Sequence, residues 1–368
     1  MFLKFQCYAC LLVLVYSANG LSQTFDKPIF EIEKENYSQH YNSINYDYKS
    51  DTNIDVTYYK LDLNITYQPN FLIGNVNIKC KSLVNNLSSV FYDLSDNLSV
   101  DSVLSAKTSL SFNHSQNKIL ITLKNSVNQD QDLSINIFYH GVPVPTGYGS
   151  FAFGSHNGNQ PAIWTLSEPF GSIDWFPCKN VPSDKCDSSD VWLRCSNELT
   201  GVSNGTLEEI QNNGDGSHTF KWHNSYPIVN YVISLAISNY TQYNSYYKYS
   251  ASDSMPVYNF IYPENLENLK SQLDKTKTML ELFSSKFGLY PFIKEKYGHV
   301  EFGRIAGMEN QTISSLGVFN DNIMAHELTH QWFGDKITCR NWENIWLNEG
   351  FATFGEAIYN EAVNGKTG

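Results

Sequence analysis

His326-Glu327-Leu328-Thr329-His330 carries two imidazoles four positions apart, with a carboxylate directly after the first. On an α-helix that spacing puts both rings on one face, where they can grip one ion, and Glu327 can reach a water held on it. Gln331-Trp332-Phe333-Gly334 follow, and Gly334 is placed to end the helix. A catalytic zinc takes three protein ligands and keeps a fourth position open. The third candidate is Glu349, after 18 intervening residues, in Trp346-Leu347-Asn348-Glu349-Gly350-Phe351-Ala352. That stretch opens a second helix, with Phe351, Phe354 and Ile358 on its apolar side. The expectation is one zinc ion per chain held by His326, His330 and Glu349, with Glu327 as general base. Two imidazoles and a carboxylate buried together without an ion would leave polar groups unpaired. Glu356, on the same helix face as Glu349, either steadies a ligand histidine or faces solvent.

Upstream, the pattern is that of strands. Tyr59, Leu61, Leu63, Ile65 and Tyr67 alternate with Lys60, Asp62, Asn64 and Thr66, the period-2 signature of a half-buried strand. The alternation returns at Val76-Ile78-Cys80, Ile119-Ile121-Leu123 and Leu133-Ile135-Ile137-Tyr139. From Val257 the character changes to a strand, a helical pattern over Glu264 to about Lys286, a break at Gly288 and Pro291, and a strand through Tyr297 to Phe302. The fold class expected is α+β: a mostly antiparallel β domain over 51–250, then an α+β metallopeptidase domain over 251–368, with 21–50 a linker or arm.

The chain start reads as an export signal over 1–20, with Lys4 before an apolar run from Phe5 to Tyr16 and small residues at Ala18-Asn19-Gly20. Delivery is therefore expected outside the cell or into a periplasm, without a stable membrane span once the signal is cleaved. A net charge of −12 argues against nucleic acid as a partner. Beyond the signal, Cys178, Cys186 and Cys195 lie close in sequence, and one disulfide among them is expected; the cysteine spacings do not make a zinc site.

The zinc motif alone also fits endopeptidases of the thermolysin type. A further element, Ala306-Gly307-Met308-Glu309-Asn310, precedes it. Here the chain resembles the aminopeptidase N and leukotriene hydrolase family of gluzincins, whose signature is G-x-M-E-N, then HExxH and a distant glutamate. Ala306 stands where that family usually has glycine. Ser167-Glu168-Pro169 and Phe176-Pro177-Cys178 are similar to the family's N-terminal domain, with Asn180 where aspartate is usual. The resemblance implies a thermolysin-like peptidase domain. It also implies that Glu168 and Glu309 bind the substrate's α-ammonium, and that Gly307, Met308 and Asn310 line the substrate groove. Peptides with a free N-terminus are the partners implied. A catalytic tyrosine well downstream of Glu349 and a helical C-terminal domain are also implied. The chain stops at Gly368, so the peptidase domain is expected to be truncated. The alternatives are an inactive peptide- or zinc-binding homologue and a zinc endopeptidase; Glu168 and Glu309 speak against the latter.

Overall fold

A computed structural model describes residues 48–365; the signal, most of the arm and the last three residues lie outside the described residues. The alternating stretches form strands of one eight-stranded sheet, except Lys118–Val127, which is central in a separate three-stranded sheet. At the middle of the large sheet, Ile54–Thr66 pairs antiparallel with Phe71–Ser82 and parallel with Ser188–Ser196. Its Tyr59, Leu61, Leu63 and Ile65 are buried, as the period of two requires. Each fully buried aliphatic chain of this kind contributes roughly 1.5–3 kcal/mol. A four-stranded sheet has the order Thr200–Ser203, Leu235–Ser238, Gln160–Thr165, Phe151–His156.

A five-stranded mixed sheet follows, in the order Thr241–Lys248, Ser254–Ile261, Tyr297–Glu301, Ser314–Leu316, Gly307–Met308. Its first strand begins at Thr241, ahead of the boundary at 250 drawn from the sequence. One apolar core runs from Ile54 through the β region to Phe302, Met308, Cys339 and Trp342, so the two regions share an interior.

The helical pattern over 264–286 divides into α1 (Leu266–Leu273) and α2 (Lys275–Phe287). They meet at Asp274, whose carboxylate takes the Tyr243 hydroxyl at 3.1 and 3.2 Å. Gly288, at φ +94°, ends α2. The zinc motif lies on α3 (Asp321–His330), started by Asn320, whose side chain accepts from Ile323 N at 2.9 Å. Glu349 lies in the first turn of α4 (Trp346–Asn364). α3 and α4 approach closely because Gly355 has no side chain: a Cβ there would fall 2.0 Å from Thr329 Oγ1. Among the described residues no helix is long and apolar enough to cross a membrane.

The expected disulfide is not formed. Cys178, Cys186 and Cys195 are all buried free thiols, as are Cys80 and Cys339. Cys186 and Cys195 sit near opposite ends of one extended segment, separated by roughly 30 Å at the rise of a strand, far beyond what a disulfide spans. Cys178 is fixed elsewhere, in a bridge to Asp93.

Candidate active site

α3 is buried from Ile323 to His330, so its polar side chains must find partners inside the protein. His326 Nδ1 meets Glu356 Oε1 at 2.8 Å, and His330 Nδ1 meets the Phe333 carbonyl at 3.0 Å. Both partners are acceptors, so each Nδ1 carries a proton, and Nε2 is the atom each ring turns outward and can offer to an ion. The two Nε2 atoms face each other at 3.0 Å, and Glu349 Oε2 stands 3.4 Å from one and 3.5 Å from the other. Three electron-pair donors thus converge on one point. Ligands about 2.0–2.1 Å from a tetrahedral zinc lie about 3.3–3.4 Å apart, so the triangle fits that ion. Of the two readings of Glu356, the solvent-facing one does not hold: it is buried and fixes the His326 ring.

The charge balance leads to the same demand. Burial disfavours a charged His330, yet Glu349 and Glu309 outweigh it and push its pKa up to about 10. Burial works to raise Glu349, but the two histidines outweigh it and hold its carboxyl well below the usual range. Burial, then the neighbouring Glu349, raises Glu309, with His330 opposing. Asp335, fully buried behind His330, is raised well above its ordinary value by burial and by Glu309. Glu309, Glu349 and Asp335 thus crowd carboxylates around His330, and a cation there would relieve their repulsion.

Around this triangle the other sequence-derived residues gather. Donor atoms of Glu309, Glu327 and His330 lie within 4.8 Å of one another, as do those of Glu168, Glu309 and Glu349. Glu309 is buried, and its Oε1 has no hydrogen-bond partner among the described residues. Met308 and Asn310 point inward instead. Met308 packs into the core, and Asn310, 1% exposed, donates Nδ2 to Ser315 Oγ at 2.9 Å. What they offer a ligand is backbone. Gly307 has a reason the sequence did not suggest: a Cβ there would fall 1.9 Å from Glu327 Oε1. The glycine makes room for the carboxylate beneath it.

Residues 55–232 match the Peptidase M1 N-terminal domain, and residues 271–367 match the Peptidase family M1 domain. The chain belongs to peptidase family M1. It is 28% identical over 212 residues to glutamyl aminopeptidase of Bos taurus, covering 53% of this chain and 22% of that protein. It is 27% identical over 213 residues to endoplasmic reticulum aminopeptidase 1 of Mus musculus, again 53% of this chain and 22% of that one. The chain thus spans about a fifth of these relatives. An M1 zinc metallopeptidase from Deinococcus radiodurans, solved with a Tyr-Ser-Ala substrate, has the same fold, with TM-score 0.74 at 22% identity over 86% of this chain and 72% of that one.

Several residues of this M1 site were given no role from the sequence. Tyr231 is buried; its hydroxyl accepts from Asn348 Nδ2 at 3.0 Å and hydrogen-bonds toward Glu309. Asn348 Oδ1 also accepts from Cys339 N at 3.1 Å, which fixes the start of α4 and with it Glu349. Gln331 bridges the zinc helix to the Glu309 segment: its Oε1 accepts from Thr312 N at 2.8 Å, and its Nε2 points at the Glu309 and Asn310 carbonyls, 3.4 Å from each. Gln331 adjoins the motif and could have been suspected; Tyr231, far upstream, could not.

Proposed function

We propose that the chain supplies the site of a zinc aminopeptidase, which hydrolyses the first peptide bond of peptides with a free N-terminus. The observation that carries this reading is the cluster of Glu168 and Glu309 beside Glu349, two carboxylates beyond those the ion needs.

His326, His330 and Glu349 would hold the metal. Zn²⁺ bound there lowers the pKa of its water to about 7 and polarises a carbonyl. Glu327, 2% exposed and fixed against Gly307, takes the attacking water's proton and delivers it to the leaving amine. Glu356 and the Phe333 carbonyl keep the two histidines in the tautomer that offers Nε2. Glu168 and Glu309 repel each other until a cation enters between them, and an α-ammonium is that cation. An endopeptidase needs open room in that direction for residues before the scissile bond. The relative from Deinococcus radiodurans holds a tripeptide, a substrate of the size this reading calls for.

The test compares an aminoacyl nitroanilide with its N-acetylated form. A charge-assisted hydrogen bond is worth about 1.5–3 kcal/mol, so the free form should be favoured by one to two orders of magnitude in kcat/KM. Equal rates on both would refute the roles given to Glu168 and Glu309.

A further inference from the structure

The chain has three arginines, Arg194, Arg304 and Arg340. Arg194 is paired with Asp215. Arg304 is partly buried, in the bend between Tyr297–Glu301 and Gly307–Met308. Among the described residues its guanidinium forms no ion pair and no hydrogen bond, and desolvation lowers its pKa. Five N–H donors in a partly dry setting without an acceptor call for an anion from outside.

Its place in the fold says which anion. Gly307–Met308 is the last strand of its sheet, paired among the described residues with Ser314–Leu316 on one side. Its other edge can take an extended peptide. An α-ammonium at Glu309 and a scissile bond at Glu327, which touches Gly307, set that peptide's direction. It runs from 309 toward 307, antiparallel to the strand, and the bend with Arg304 lies further along the same line. Arg304 is three residues from Gly307, at most about 10 Å along an extended backbone. The bend is held in place: a Cβ on Gly317 would fall 1.3 Å from the Arg304 carbonyl oxygen. The guanidinium lies over Gly149, with Nη1 2.7 Å from where a Cβ would be, and Gly147 of the same loop borders the Glu168 carbonyl. The side chain therefore stands between the segment leading to Glu309 and the loop beside Glu168.

We infer that Arg304 is a carboxylate receptor at the rim of the cleft, so that the chain selects peptides carrying a carboxylate as well as a free N-terminus. This rests on the aminopeptidase reading. The carboxylate comes from an acidic first side chain or from the C-terminus of a short peptide; both offer a guanidinium the same bidentate partner.

The test uses the full chain loaded with zinc, with Glu327→Gln to prevent turnover, and calorimetry as readout. Glutamyl amide is compared with glutaminyl amide, and Ala-Ala-Ala with its C-terminal amide, each with and without Arg304→Ala or Arg304→Lys. The expected result is a preference of about 10- to 100-fold for the carboxylate member of one pair, the span of a charge-assisted hydrogen bond. Arg304→Ala should bring that ratio close to one, and Arg304→Lys should keep part of it. Loss in the first pair assigns the side chain as source, and loss in the second assigns the C-terminus. The inference is overturned if neither pair shows a preference, or if Arg304→Ala weakens both members of a pair equally. Turnover of alanine nitroanilide by the chain without substitutions tests the underlying reading separately: turnover without a carboxylate preference sinks this inference alone.

Discussion

Gly307→Ala should abolish most turnover while leaving the fold and the metal in place. Gly307 is not among the residues with positive φ, so its backbone accepts alanine without strain. The added methyl would lie 1.9 Å from Glu327 Oε1, 2.5 Å from Cδ and 2.8 Å from Cγ, where ordinary contact begins at 3.4 Å. The carboxylate must retreat by about 1.5 Å, the difference of those limits, and a shift of about 1 Å can cost 10²-fold in rate. The three atoms nearest the methyl all belong to Glu327, so zinc content should not change. The assay is aminoacyl nitroanilide hydrolysis, with circular dichroism and elemental analysis on the same samples. Activity within threefold of the unsubstituted chain, at equal zinc, would refute the placement of Glu327 against this strand.

Glu356→Ala removes the acceptor that orients His326, and zinc affinity should fall 10- to 100-fold in competition with a chromogenic chelator; unchanged affinity would show that this bond does not position the ring. His299 is kept neutral by burial, its pKa pushed down to about 3 from the usual 6.5. The unfolded chain takes up a proton near 6.5 that the folded chain refuses until about 3, so stability falls as pH drops through that window, by up to about 1.4 kcal/mol per unit. Urea midpoints of His299→Gln should show a shallower decline there, and identical declines would contradict it. Asn310 begins an Asn-Gln-Thr glycosylation sequence but is 1% exposed. Mass spectrometry after secretion from a eukaryotic host should find it bare, and sugar at Asn310 in folded protein would show that the segment is misplaced.

What was legible in the sequence follows the range of the interactions. The alternation of Tyr59 to Ile65 and the spacing of His326 and His330 are local, and each specifies its element directly. Glu349 could be named because it opens the next helix after the motif, and the structure brings it beside both histidines. Glu356 could be named but not decided, since a helix face shows where a carboxylate points and not what meets it. Tyr231 with Asn348, 117 positions apart, leaves no local trace. The cysteines show the converse error: closeness in sequence suggested a bond that an extended strand makes unreachable. The reason for Gly307 was also hidden, because Glu327 meets it only once α3 docks on the sheet.

His326, His330 and Glu349 are proposed to hold one zinc ion, and Glu327 is not. Elemental analysis of the purified chain, beside His330→Ala and Glu327→Gln, tests this most directly. About one zinc is expected in the unsubstituted chain and in Glu327→Gln, and close to none in His330→Ala. Undiminished zinc in His330→Ala, or its loss in Glu327→Gln, would contradict the assignment.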